Sequence, residues 1–224
     1  MSPQGTEHGL LILLLDLYVD FFCYNFNMNL PNKLSIIRIF LVPLIIIVEL
    51  FPYHLFNFYF PIFTIYGVSI SLKNIIVLIL FCIASLTDLF DGYLARKNKL
   101  ITSFGKFIDP VADKALINTM LIILSYNRVI PVLPVIIMIF RDIVIDGCRM
   151  VAGQKGVVVA ANFYGKLKTV SQIITIIIAL INNFPFEIWG IQAIVLMSWF
   201  TAFISLFSGI HYFNQIKDYI FESF

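Results

Sequence analysis

Apolar residues run through the chain in long blocks, and short polar intervals cut these blocks into segments of about 20 residues. A helix rises ~1.5 Å per residue, so ~20 apolar residues cross a hydrocarbon core ~30 Å thick. On that criterion six spans are predicted, at about 34–52, 69–91, 105–126, 131–152, 166–183 and 189–213. The intervals between them differ in kind. "FPYHLFNFYFPIF" and "NNFPFE" are rich in proline and aromatic residues, as loops at a membrane interface are, whereas "ARKNKLITS" and "AGQKGVVVAANFYG" carry lysine, arginine and glycine. No internal repeat and no soluble-domain-sized segment is visible, so residues 28–224 read as one membrane domain.

Charge then orients the segments. With the amino terminus inside, the inner ends and loops hold Lys33, Arg38, Arg96, Lys97, Lys99, Lys106, Lys114, Arg141, Arg149, Lys155, Lys166, Lys168 and Lys217, and the outer side keeps Lys73 and Arg128. Thirteen cations against two satisfy the positive-inside rule and place both termini in the cytoplasm. Residues 1–27 stand apart. Leu10 to Phe26 is short for a span and carries Asp16 and Asp20 on one helix face, which fits either a helix lying in the interface or a stretch ahead of a true start at Met28. No cation precedes Lys33, so a secretory signal is not expected.

Composition agrees: 60% of the 224 residues are hydrophobic and 12% charged, about half the ~25% charged of a soluble domain. A net charge of +2 is too small to imply a nucleic-acid partner, and no basic run supports one. Cys23, Cys82 and Cys148 lie far apart among apolar neighbours and read as buried thiols.

Against this background one window stands out: "TDLFDGYLARKNKLITSFGKFIDPVADK", residues 87–114, holds Asp88, Asp91, Asp109 and Asp113. Asp88 and Asp91 are three apart near the end of the second span, and Asp109 and Asp113 four apart near the start of the third, so each pair shares a helix face. A helical hairpin brings the pairs together at the cytoplasmic end, and Gly105, one turn before Asp109, leaves room there. Four converging carboxylates repel one another unless a divalent ion resolves the charge. Oxygen donors without His or Cys favour Mg²⁺ or Mn²⁺ over zinc. The alternative is four solvated carboxylates in a cytoplasmic loop, partnered by Arg96 and the lysines.

The pattern Asp88-x2-Asp91-Gly92-x2-Ala95-Arg96-x8-Gly105-x3-Asp109-x3-Asp113 resembles the signature of the CDP-alcohol phosphatidyltransferases. The resemblance implies an all-α integral membrane protein of six transmembrane helices with a cytoplasm-facing polar active-site cavity, set in the cell membrane. It implies two divalent ions, Mg²⁺ or Mn²⁺, held by Asp88, Asp91, Asp109 and Asp113, with Asp113 also the base. Gly92, Ala95, Arg96 and Gly105 would line the nucleotide diphosphate, Gly92 by close backbone approach and Arg96 by a bidentate contact. Asn32 and Thr87 face the same end, as nucleotide contacts or as helix caps. A homodimer among membrane lipids is also implied.

"NLPNKLSIIRIFLVP", "RDIVIDGCRMVAGQKGVVVAANFYGKLKTVSQ", "NNFPFE" and "SGIHYF" are similar to the branch that makes phosphatidylglycerophosphate, so the expected substrates are CDP-diacylglycerol and sn-glycerol 3-phosphate. Arg141, Arg149, Lys166 and Lys168 are the candidate ligands for the acceptor phosphate, since an arginine within a span is costly unless it has a function. Bland alternatives stand beside them: the lysines can serve topology alone, and Arg141 can pair with Asp142 or Asp146. Asp146 departs from the family pattern, where a small hydroxyl residue is usual, and is unfavourable near a phosphate unless it pairs with Arg141 or Arg149. The competing functions are another acceptor (inositol phosphate, serine or phosphatidylglycerol), an inactive scaffold, or a cation-coupled transporter.

Overall fold

The computed structural model describes residues 30–98, 103–154 and 163–221, with side chains placed at 34–87, 108, 110–153 and 163–217. Residues 1–27, and the expectations attached to them, lie outside the described residues. Six α-helices follow in order: α1 (Leu30–Leu50), α2 (Leu72–Asn98), α3 (Ser103–Tyr126), α4 (Val132–Gln154), α5 (Phe163–Leu180) and α6 (Ala193–Phe221). Each predicted span falls on one of them. Helix α2 runs on through the polar stretch to Asn98, and α6 runs on to Phe221, because backbone hydrogen bonding continues after the apolar run has ended.

Helix α1 packs against α2 and α3, while α6 packs against α4 and α5; α3 touches α4 and α5 and so joins the two halves. The shared core comprises Ile45, Val77, Phe81, Leu116, Met120, Leu121, Met138, Ile176 and Leu180, all nearly inaccessible. The outward faces are apolar too: Ile47, Ile79, Ile122, Ile136, Ile143 and Phe203 are exposed. Among the described residues Phe163–Leu180 and Ala193–Lys217 are long and apolar enough to cross a membrane.

A β-hairpin between α1 and α2 is an addition to the predicted all-helical chain. Strand β1 (Ile62–Ile65) pairs antiparallel with β2 (Val68–Ser71), Ile62 opposite Ser71 and Ile65 opposite Val68. Tyr66 and Gly67 turn the chain with φ of 49° and 83°, the doubly left-handed backbone of a two-residue hairpin loop. Its signal was only half present: β2, Val68-Ser69-Ile70-Ser71, alternates apolar and polar residues, whereas β1 is exposed and mostly apolar along its whole length. This end of the bundle is closed by polar contacts. Glu49, buried at the end of α1, pairs with Lys73 at 2.8 Å and accepts from Asn127 Nδ2 at 3.4 Å. Asn183 Nδ2 donates to Glu187 Oε2 and to the Ile191 carbonyl, each at 2.7 Å, bracing the loop before α6.

Candidate active site at the opposite end of the bundle

The aspartate window is carried by the end of α2 and the start of α3. Asp88, Asp91, Gly92, Ala95 and Arg96 are helical residues of α2, and Gly105, Asp109 and Asp113 of α3. The two helices pack together and are joined through residues 99–102, as the expected hairpin requires. The side chains of Asp88, Asp91, Arg96 and Asp109, like that of Asn32 on α1, lie outside the described residues. Asp113 is described and half-buried. Thr87 donates to the carbonyl of Ala84, three residues back, at 2.7 Å; since α2 runs on to Asn98, this bond lies within the helix and caps neither of its ends. The same carbonyl accepts from Nε of Arg38 at 3.2 Å, and Arg38 is fully buried. That pins α1 to α2 one turn below Asp88.

Helix α4 brings the cations. Lys114, the residue after Asp113, forms an ion pair with Asp146. The carboxylate that departs from the family pattern is thereby joined to α3, and neither Arg141 nor Arg149 is its partner. The pair also places the second half of α4 beside the aspartate segment. Arg149 is exposed, with its guanidinium 4.7 Å from the centroid of the Tyr212 ring on α6, a cation–π contact.

Arg141 and Lys168 meet on one buried carboxylate. Asp142, 4% exposed, accepts from Arg141 Nη1 at 3.1 Å and is ion-paired with Lys168 Nζ. Arg141 Nη2 donates to Ser208 Oγ at 2.8 Å, and among the described residues its buried Nε has no hydrogen-bond partner. A Cβ built on Gly209 would stand 2.9 Å from Arg141 Cγ, so the arginine stem lies on the bare backbone of α6. Of the four proposed phosphate ligands, Arg141 and Lys168 are therefore engaged in the interior, whereas Arg149 and Lys166 are exposed.

Sequence reading gave Ser208, Gly209 and Tyr212 no role beyond their place in the "SGIHYF" resemblance, and Lys114 none beyond orienting the chain. Serine recurs along α6 while Gly209 is its one glycine, and their closeness to Arg141 depends on how α6 crosses α4. Asp142 was weighed only as an alternative partner of Arg141.

The donor set suits a hard divalent ion: four aspartates sit on two adjoining helices, and no histidine or cysteine occurs in the window. Arg149 on α4 adds an exposed cation to this end of the bundle.

The family model for CDP-alcohol phosphatidyltransferase matches residues 28–207. A Bacillus subtilis (strain 168) protein named CDP-diacylglycerol–glycerol-3-phosphate 3-phosphatidyltransferase is 42% identical over 84% of this chain and 94% of its own. Proteins of the same name from Rickettsia typhi (33% identical, over 85% of this chain and 98% of its own) and Salmonella choleraesuis (31%, over 84% and 95%) are similar along nearly the same length.

Proposed function

The chain belongs to the CDP-alcohol phosphatidyltransferase family, and from that premise we propose that it transfers the phosphatidyl group of CDP-diacylglycerol to sn-glycerol 3-phosphate, yielding phosphatidylglycerophosphate and CMP. The observation that carries the reading is the set of four aspartates at the family's spacing on either side of the α2–α3 connection. The named activity of the relatives supplies the acceptor.

In this reading Asp88, Asp91 and Asp109 hold Mg²⁺ or Mn²⁺, and Asp113 completes the set. When bound, two such ions neutralise the diphosphate and stabilise the entering and leaving oxygens. Arg96 forms a fork to the diphosphate and Gly92 lets the nucleotide approach the helix. Asp113 takes the proton of the acceptor hydroxyl as its oxygen attacks phosphorus, and the bond to CMP breaks. Arg141, Arg149 and Lys166 receive the acceptor's phosphate. Lys168 acts from behind, through Asp142.

The six helices are six membrane spans, with termini and aspartates on the cytoplasmic side, where the soluble acceptor glycerol 3-phosphate is found. The thirteen-to-two cation distribution and the apolar outward faces support this.

The test is CMP release by the purified protein with CDP-diacylglycerol, Mg²⁺ and one acceptor at a time. Turnover with glycerol 3-phosphate alone is expected. Turnover with inositol phosphate, serine or phosphatidylglycerol in its place would move the protein to another branch of the family, and none with any acceptor would overturn the enzymatic reading.

A further inference from the structure

Arg141 is clamped between α4 and α6. Its neighbour Asp142 on α4 accepts from Nη1 at 3.1 Å, Ser208 on α6 accepts from Nη2 at 2.8 Å, and Gly209 gives its stem a floor without a side chain. Lys168 on α5 holds Asp142 from the other side. One buried carboxylate between two cations leaves a formal charge of +1, and Nε of Arg141 remains as a buried donor with no partner among the described residues. Asp142 is too deeply buried to meet a substrate, and its charge is balanced by the cations that flank it.

Resting on the acceptor reading above, we propose that Asp142 is a positioning residue that sets the preference for a phosphorylated acceptor, by holding the Arg141 guanidinium ready for the acceptor's phosphate. An arginine left to itself samples many rotamers, and each must be lost when an anion binds. A guanidinium already held by a carboxylate, a serine and a glycine floor has lost them beforehand. Without the carboxylate, Arg141 and Lys168 become two adjacent buried cations that repel. The guanidinium then turns away from the position in which its free donor can serve.

A purely structural role makes a different prediction. Neutralising two buried cations stabilises the bundle, and losing that affects folding and both substrates alike. A positioning role falls on one substrate only. The experiment is steady-state kinetics of the full chain in lipid nanodiscs, varying glycerol 3-phosphate and CDP-diacylglycerol in turn, for Asp142→Asn, Asp142→Glu and Gly209→Ala. Asp142→Asn is expected to raise the glycerol 3-phosphate KM roughly tenfold, while the CDP-diacylglycerol KM stays within about twofold of wild type. Asp142→Glu should recover part of the loss, since it restores the charge with a longer reach. Gly209→Ala pushes the arginine stem aside without changing any charge and should raise the same KM, which keeps the proposal testable if Asp142→Asn fails to fold. Folded variants whose acceptor KM is unchanged, or whose two KM values rise together, would overturn it. A wild-type enzyme that turns over with another acceptor but not with glycerol 3-phosphate would instead refute the acceptor reading, and this inference with it.

Discussion

Arg149 and Arg141 differ in the way their charge is held. Arg149 lies in the open against the ring of Tyr212, so a phosphate arriving there meets a guanidinium that still has its donors available. Charge-assisted hydrogen bonds of this kind are worth ~1.5–3 kcal/mol, and at ~1.4 kcal/mol per decade the loss of one raises a KM roughly tenfold to a hundredfold. Arg149→Ala should therefore raise the glycerol 3-phosphate KM by that range and leave the CDP-diacylglycerol KM nearly constant. Arg149→Lys should recover only part, because an ammonium lacks the planar fork. An unchanged acceptor KM in Arg149→Ala would reduce this arginine to a topological role. Asp113→Asn addresses the base: CDP-diacylglycerol binding should persist while CMP release falls by at least about a hundredfold. Near wild-type turnover would place proton acceptance elsewhere. The aspartates could be found in the sequence because their spacing alone carries the pattern. Lys168 could not be resolved there, since its carboxylate lies 26 residues away on another helix.

Between elements, α5 and α6 both bury small polar groups. Ser171, Gln172 and Thr175 on α5 and Ser198, Thr201, Ser205 and Ser208 on α6 are all buried. The spacing on α6 is three, four and three, one face of a helix, and the hydroxyls of Thr175 and Thr201 meet across the seam at 3.0 Å. Small residues allow close approach of the helices, and hydrogen bonds between helices in a membrane average only ~0.6 kcal/mol. Thr175→Val should accordingly cost about 0.5–1 kcal/mol in denaturant-monitored unfolding. Phe81→Ala, which empties a fully buried site in the core between the halves, should cost about 3–5 kcal/mol. Equal losses would mean that the polar seam contributes as much to cohesion as apolar packing does. The hairpin at the far end went unread at this scale for a reason of the same kind: its turn depends on left-handed backbone at Tyr66 and Gly67, while its first strand carries no alternating pattern.

For the whole molecule, the two ends of the bundle differ in chemistry. At one end the buried Glu49 is paired with Lys73, and at the other α3 and α4 are joined by Lys114 and Asp146 beside the aspartate window. Impermeant maleimide should label a cysteine at Gln192, exposed just before α6, only from outside the cell, and one at Asn214, exposed near the end of α6, only after permeabilisation. The native cysteines would be replaced first. The opposite pattern would invert the membrane topology and put the aspartates on the side away from cytosolic glycerol 3-phosphate. Chelation with EDTA should abolish CMP release, and Mg²⁺ or Mn²⁺ should restore it. Full activity in metal-free protein would remove the ions from the reaction.

By itself the sequence determined the six helices, since each needs only a continuous apolar run, and it determined the aspartate pattern and the orienting charges, since both are local in the chain. Only the tertiary structure decided which cation meets which carboxylate. Asp146 joins Lys114, Asp142 takes both Arg141 and Lys168, and Arg149 settles on Tyr212. Each of these pairings depends on the angle and depth at which two helices cross, or on a choice among several ionic partners within reach. Apolar periodicity states that a face is buried, but not which residue of another helix lies opposite it. A glycine at position 209 acquires meaning only once an arginine is seen to rest upon it.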